Sequence, residues 1–140
     1  MTRMLESEDF KGHWRLSRVI TDRLSNQTGR LSGTAEFQDV GAGRLLYIEE
    51  GELRFGNAPP MAAKRQYLWL FHAGGVDVQF EDETAFHSFT PAGRPRGTDH
   101  PCGADIYQVQ YDFSVWPEWQ ASWQVSGPRK DYTSVSQYRR

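Results

Sequence analysis

Residues 12–20, with the sequence GHWRLSRVI, show a pattern that recurs along most of the chain. Every second residue from the tryptophan onward falls on one face of an extended backbone, and these residues are Trp14, Leu16, Arg18 and Ile20. Because side chains alternate between the two faces of a β-strand, this period of two predicts a strand with one buried face. The arginine on that face is unusual, since a buried charge is costly unless it is paired.

Eight further segments repeat the alternation, and short turns such as Gly41–Gly43 separate them. Their bounds are 31–38, 45–53, 65–71, 76–80, 84–89, 105–113, 119–125 and 132–139. Short alternating strands joined by brief turns are typical of antiparallel meanders, sandwiches and barrels. We predict an all-β fold, a closed antiparallel up-and-down barrel of eight or nine strands, because closure removes exposed sheet edges.

The size of the chain and its N-terminal residues complete the predicted architecture. Residues 2–9 lack the alternation and could form a short helix, with Leu5 and Phe10 as its apolar contacts. A chain of 140 residues fits one domain, residues 1–140, whose core needs no metal or disulfide. The single cysteine, Cys102, excludes an internal disulfide.

Charge and hydropathy disfavour two classes of partner. Sixteen basic and eighteen acidic residues give a net charge of −2, without the basic surface that nucleic-acid binding requires. Residues 1–10 lack the apolar stretch of a signal peptide, and the longest apolar run, Tyr67–Phe71, is too short to span a bilayer. We therefore expect a protein that binds neither nucleic acid nor membranes, and its single cysteine predicts a reducing, cytoplasmic setting.

The segment Gly12-His13-Trp14 resembles the Gly-x-Trp entry of lipocalin and calycin barrels. That resemblance implies that the tryptophan plugs the closed end of the barrel and that a basic residue from a late strand packs over it. Arg129, Lys130 and Arg139 are the candidates for the basic residue. Any working site would then lie toward the opposite end.

Five other segments resemble a bacterial family of uncharacterised calycin-like proteins. They are, in chain order, Tyr47–Gly51, Arg65–Trp69, Phe86–Phe89, His100–Tyr107 and Gly127–Tyr132. The resemblance implies a calycin-like barrel in a bacterial, cytoplasmic setting, and it implies no particular activity.

Strand parity indicates which side chains could contact a ligand inside the barrel. Arg65 and Tyr67 share a strand face with Trp69, and Asp105 and Tyr107 fall on the apolar face of a later strand. The predicted ligand-binding residues are Arg65, Tyr67, Trp69, His87, Asp105, Tyr107 and Trp123. Aromatic pockets with a few convergent polar groups are typical of small-molecule sites. The leading hypothesis is a barrel that binds an apolar or aromatic ligand with a polar or anionic group.

Some of the same charges could instead be structural. Since buried ions are normally compensated, Arg65 could pair with Asp105, and Arg18 with Glu50, inside the barrel. The Arg129–Lys130 turn could likewise hold a carboxylate or phosphate, or only cover the entry tryptophan.

An enzyme that uses the same cavity is the first functional alternative. His87 and Asp105 are the predicted catalytic residues: His87 would act as a general acid or base, oriented by Asp105 or Glu49. Arg65 and the tyrosines would stabilise a developing anion, in an isomerase, cyclase or lyase type of reaction. A structural histidine that is hydrogen-bonded by a neighbouring group is the simpler interpretation.

Metal binding and protein partners are the remaining alternatives. His100 and Cys102, with His72 and His87, offer zinc-type ligands, but their spacing matches no established signature, so we expect no metal and no cofactor. Cys102 also lacks the sequence context of a nucleophile. A barrel filled by its own tryptophans could act as an interaction module, and Trp116 could line the barrel mouth or a homodimer contact.

Overall fold

The computed structural model describes residues 3–140, which form one short helix and ten strands. The elements are α1 (Ser7–Phe10), β1 (Gly12–Asp22), β2 (Gln27–Gly41), β3 (Arg44–Phe55), β4 (Met61–His72), β5 (Gly75–Gln79), β6 (Ala85–Phe89), β7 (His100–Cys102), β8 (Asp105–Asp112), β9 (Trp119–Gly127) and β10 (Lys130–Arg139). Neighbouring strands pair antiparallel in the order β6-β5-β4-β3-β2-β1-β10-β9-β8-β7. The predicted all-β, up-and-down barrel is confirmed.

The number of strands exceeds the predicted eight or nine because of β7. This strand is three residues long and has a proline at its centre, so it carries no recognisable alternation. The predicted helix over residues 2–9 is also shorter than expected, since α1 begins at Ser7, and Thr2 lies outside the described residues. Leu5 and Phe10 are buried as expected.

A loop between β6 and β8 nearly closes the barrel where the two sheet edges meet. Residues 93–98 run along β8, and the Gly97 N–H donates to the Val109 carbonyl at 2.8 Å. On the other side of the loop, the Thr98 N–H donates to the Ser88 carbonyl of β6 at 2.9 Å. The loop therefore satisfies backbone groups of both edges, which would otherwise stay unpaired.

Two glycines let β2 and β3 approach closely at the barrel wall. Gly33 lies directly opposite Gly51 in the register of these strands. A Cβ atom on Gly33 would lie 2.0 Å from the Glu50 carbonyl oxygen, closer than any real Cβ contact. Glycine inside a strand is typical of such a close approach of two backbones.

The closed end of the barrel contains the entry tryptophan, as the resemblance implied. Trp14 is 2% exposed, and its Nε1–H donates to the Phe10 carbonyl of α1 at 2.9 Å. The covering cation is Arg140, whose guanidinium carbon lies 3.9 Å from the centroid of the Trp14 ring. The prediction of Arg129, Lys130 or Arg139 was wrong for geometric reasons. Arg129 and Lys130 lie at the other end of β10. Arg139 is on the face of β10 that points away from the barrel interior.

Trp116 also packs at this end, 5.1 Å from Phe10 and 5.6 Å from Trp14 between ring centroids. It is half-buried there and does not line the opposite mouth. Among residues 3–140, no helix is long and apolar enough to cross a membrane.

Candidate ligand-binding site

A buried ion pair occupies the centre of the barrel. The two terminal nitrogens of Arg18 donate to the Glu49 carboxylate at 2.7 and 2.8 Å, and Arg18 Nε donates to Ser136 Oγ at 2.6 Å. The predicted partner, Glu50, was wrong by one residue. The Glu50 side chain is on the outer face of β3 and lies 3.4 Å from Lys64 on the barrel exterior.

The protonation of this pair follows from its contacts. Burial alone would raise the pKa of Glu49, but the hydrogen bonds and positive charge of Arg18 outweigh that effect. The pKa of the carboxyl is therefore lowered, and Glu49 is ionised at neutral pH. The barrel centre thus contains one positive and one negative charge.

Two buried tyrosines extend the polar cluster from the carboxylate. The Tyr47 hydroxyl donates to Glu49 Oε1 at 2.7 Å, and the Tyr138 hydroxyl lies 2.7 Å from the Tyr47 oxygen. Since the Tyr47 proton is engaged by Glu49, Tyr138 donates to Tyr47. Burial raises the pKa of Tyr138 to about 12, so it stays protonated.

His87 is buried on the opposite wall of the barrel. Its Nε2 lies 2.8 Å from the Tyr111 hydroxyl, and within the described chain the expected hydrogen bond to Asp105 or Glu49 is not formed. Burial, and to a lesser degree the nearby His100, lowers the pKa of His87 to about 3. The imidazole is therefore neutral at physiological pH. The catalytic roles of His87 and Asp105 stay predictions.

Four side chains, here named the mouth aromatics, surround the open end above this cluster: Tyr67, Phe86, Tyr107 and Trp123. Phe86 is at their centre, with its ring centroid 5.8 Å from Tyr67, 5.9 Å from Tyr107 and 5.2 Å from Trp123. Phe86 is buried, whereas the other three are half-buried. The mouth aromatics therefore present ring faces and edges to solvent while they cover the polar centre.

Two cations lie against the mouth aromatics. The Arg65 guanidinium carbon is 5.3 Å from the Trp123 ring centroid, and Lys130 Nζ is 3.0 Å from the Tyr107 hydroxyl. The predicted Arg65–Asp105 pair is not formed. Asp105 lies 3.5 Å from Lys130, and Arg65 is exposed because its position early in β4 places it at the rim.

A cavity of about 20 Å³ lies between the mouth and the centre. Its lining combines the polar cluster with aromatic side chains, namely Arg18, Tyr47, Glu49, Tyr67, Trp69, Val78, Phe86, His87, Tyr111, Trp119, Ala121, Trp123 and Tyr138. This volume holds about one water molecule. Trp69 forms part of the floor, where it packs on Phe37 with a centroid distance of 4.9 Å.

The structure brings most of the predicted ligand-binding residues to one end of the barrel. Arg65, Tyr67, Asp105, Tyr107 and Trp123 lie at the mouth, and Trp69 and His87 lie beneath them. The prediction of ligand-binding residues missed a set of inward residues, namely Glu49 as the partner of Arg18, Tyr47, Tyr111, Trp119 and Tyr138. Alternation within their strands was the signal that could have found most of them.

The predicted zinc ligands are dispersed. His72 Nε2 pairs with Asp77 at 3.1 Å on the outside of the barrel, and Cys102 is exposed. His100 packs on Phe86 at the mouth, with a centroid distance of 5.3 Å. Across residues 3–140, no group of three or more His, Cys, Asp or Glu side chains is arranged to hold a metal ion.

Comparison with known proteins identifies the family. The model of a family of unknown function, DUF6314, matches residues 10–140. The chain belongs to the DUF6314 family. This result agrees with the resemblance to uncharacterised barrel proteins. No curated protein matches this DUF6314 chain significantly.

Two solved structures share the fold of this DUF6314 barrel at low sequence identity. The S-type phycobiliprotein lyase CPES from Guillardia theta has a TM-score of 0.70 and 12% identity, over 96% of this chain and 89% of the lyase. A DUF3598-family protein of unknown function from Nostoc punctiforme has a TM-score of 0.62 and 17% identity, over 98% of this chain and 49% of that one. At these identities the similarity supports the fold alone.

Proposed function

We propose that this barrel binds a planar aromatic ligand with an anionic group at its open end. The observation that carries the proposal is the position of two cations, Arg65 and Lys130, against the rings of Trp123 and Tyr107 at that end. Small-molecule sites typically combine aromatic walls with a few charged groups that fix orientation. The mouth of this barrel has both elements.

The half-buried rings supply the affinity for an aromatic ligand. Tyr67, Tyr107 and Trp123 are partly accessible, so a planar molecule that stacks on them gains apolar burial without unfolding the core. Phe86 beneath them completes an apolar floor. The ligand would therefore lie across the mouth aromatics.

Arg65 supplies the anion preference. It forms no ion pair with any acidic side chain in the described chain, whereas Lys130 has Asp105 at 3.5 Å. A guanidinium held over an indole ring is already oriented for a bidentate contact with a carboxylate or sulfonate. We expect Arg65 to contribute more than Lys130 for this reason.

The present cavity is too small for such a ligand without a rearrangement. Its 20 Å³ compares with several hundred Å³ for ordinary ligand pockets. Tyr67 lines the cavity and is half-buried, so this side chain would rotate outward to admit the ligand, while Trp123 keeps its contact with Arg65. Deep-core residues such as Trp69 would stay in place.

A matched pair of fluorescent naphthalenes tests the proposal. The probes are 8-anilinonaphthalene-1-sulfonate and N-phenyl-1-naphthylamine, which share the ring system and differ by the sulfonate. The proposal predicts saturable binding of both probes, with tighter binding of the sulfonate. In Arg65→Gln the affinity for the sulfonate should fall about fivefold, the effect of roughly 1 kcal/mol, and that of the neutral amine should not change.

Lys64→Gln is the matched control, because it removes the same charge from the adjacent residue, which pairs with Glu50 outside the barrel. It should leave both affinities unchanged. If Arg65→Gln and Lys64→Gln lose the same affinity for the sulfonate, the loss comes from the change in net charge, which contradicts the proposed site. Thermal melts of each variant verify that binding is measured on folded protein.

A filled barrel that acts as an interaction module is the second candidate function, and the 20 Å³ cavity favours it. This candidate predicts that neither naphthalene binds to the folded protein. The same titration therefore distinguishes the two functions.

A further inference from the structure

Two buried nitrogen atoms near the central cavity have no hydrogen-bond partner in the described chain. They are His87 Nδ1 and Trp119 Nε1, and both residues line that cavity. An unpaired buried polar atom costs about as much as a lost hydrogen bond, so native proteins contain few of them. The occurrence of two such atoms in residues that line one cavity points to a bound partner.

The proton on His87 can be assigned from its neighbour. Tyr111 is buried, and His87 Nε2 is the hydrogen-bond partner of its hydroxyl, at 2.8 Å. If Tyr111 donates, Nε2 accepts, and the neutral ring carries its proton on Nδ1. The opposite arrangement would leave both the Tyr111 proton and Nδ1 unsatisfied, so it is disfavoured. His87 Nδ1–H and the indole N–H of Trp119 are thus two unpaired donors.

The other fully buried polar side chains that line the cavity are already engaged. The Glu49 carboxylate accepts from Arg18 and Tyr47, and the Tyr138 hydroxyl donates to Tyr47. The two unpaired N–H groups of His87 and Trp119 therefore require a hydrogen-bond acceptor. Arg18 is already paired with Glu49, so an anion there would be an uncompensated buried charge, whereas a neutral carbonyl oxygen would gain hydrogen bonds without that cost.

We propose that the central cavity receives a neutral carbonyl oxygen of the ligand, held by the N–H groups of His87 and Trp119. This inference rests on the proposed function. The cavity volume of about 20 Å³ accommodates one oxygen atom. Tyr67 lines the same cavity, so a ligand that displaces this side chain enters the cavity that His87 and Trp119 line.

The two ends of the site then define a ligand class. The inner end takes a ketone or amide oxygen, and the outer end takes an acidic group beside Arg65. A flat conjugated molecule with these groups at opposite ends fits between them. The acidic group and the carbonyl contribute separately, so each can be tested without the other.

A second matched pair of probes isolates the carbonyl. The probes are 6-propionyl-2-(dimethylamino)naphthalene and 6-propyl-2-(dimethylamino)naphthalene, which differ only in the ketone oxygen and carry no acid. The ketone should bind about fivefold more tightly, the effect of one ordinary hydrogen bond. In ¹H–¹⁵N spectra of the wild type, the Trp119 indole N–H signal should move on addition of the ketone, and not with the other probe. Nitrogen shifts of the free protein should show His87 protonated on Nδ1.

Trp119→Phe should remove most of the preference for the ketone, while Trp116→Phe, at the closed end, should retain it. If neither probe binds, the proposed function itself fails. If both probes bind equally and the Trp119 signal does not respond selectively to the ketone, the carbonyl site is overturned while the ligand-binding barrel stands. The wild-type spectra decide this even if Trp119→Phe does not fold.

Discussion

Arg18 and Glu49 form a bidentate ion pair at the centre of the barrel, with nitrogen–oxygen distances of 2.7 and 2.8 Å. Both side chains are almost entirely buried. Removing two ions from water costs several kcal/mol each, and close geometry with further hydrogen bonds is needed to offset that cost. Ser136 and Tyr47 supply those further bonds.

Breaking the pair should therefore destabilise the barrel strongly. Glu49→Gln keeps the shape of the side chain but leaves the Arg18 charge uncompensated in the interior. We expect the free energy of unfolding to fall by about 3 kcal/mol, measured by urea denaturation monitored by tryptophan fluorescence.

The adjacent carboxylate provides the control for this experiment. Glu50→Gln changes an exposed residue on the outer face of β3 and should shift stability by less than about 0.5 kcal/mol. The double variant Arg18→Met/Glu49→Leu removes both charges and should recover most of the loss. Equal losses in Glu49→Gln and Glu50→Gln would contradict a buried pair.

The contact between Arg140 and Trp14 carries a second prediction. The guanidinium lies over the indole ring, and its Nη2 also donates to the Asp9 carbonyl at 2.7 Å, which ties the C-terminus to α1. Arg140→Ala should lower stability by about 1 kcal/mol, seen as a drop of about 3 °C in Tm by calorimetry. Arg139 contacts only exposed side chains, Gln137 at 3.2 Å and Glu118 at 3.9 Å, so Arg139→Ala should change Tm little. A larger drop in Tm for Arg139→Ala than for Arg140→Ala would contradict the assignment of Arg140 as the cation over Trp14.

Strand faces could be predicted from the sequence because alternation is a local property. Trp14, Leu16 and Arg18 are buried as their spacing indicated. Alternation does not give the height of a residue along the barrel, however. Arg65 and Trp69 share a strand face, yet Trp69 is buried in the core and Arg65 is exposed at the rim.

Two features of the site depend on contacts that local spacing cannot reveal. Phe86 and His87 are consecutive and both buried, because the β5–β6 pairing shifts register between Val78 and Gln79. A bulge of this kind breaks the rule that neighbours face opposite sides. The bond between His87 and Tyr111 likewise joins strands that the closing loop brings together.

Gly33 should tolerate no side chain. In Gly33→Ala the new methyl group would meet the Glu50 carbonyl at 2.0 Å, and backbone atoms cannot move aside as a flexible side chain can. We expect a loss of at least about 3 kcal/mol, or failure to accumulate as soluble protein. Ser32→Ala, at the adjacent exposed position, should unfold at nearly the wild-type urea concentration. A Gly33→Ala variant as stable as wild type would show that β2 and β3 are farther apart.

The stability of the barrel should fall as the pH is lowered from about 6.5. The pKa of His87 is lowered to about 3 in the folded state, against an ordinary value of 6.5. Between these values the unfolded chain binds a proton that the folded chain does not, so acid favours unfolding. The full effect is about 5 kcal/mol by the linkage relation. Glu49, whose pKa is also lowered, adds to the loss below about pH 4.5.

Urea denaturation at a series of pH values, with matched variants, separates the two contributions. His87→Phe/Tyr111→Phe removes the histidine and its hydroxyl partner together, so no buried hydroxyl is left unpaired. This variant should lose little stability between pH 6.5 and 4.5 and should still lose stability at lower pH, where Glu49 is protonated. His13→Gln, which changes an exposed histidine, should retain the wild-type slope. If the free energy of unfolding of the double variant depends on pH above 4.5 as steeply as that of the wild type, other groups cause the dependence. His87 is then not held neutral by burial.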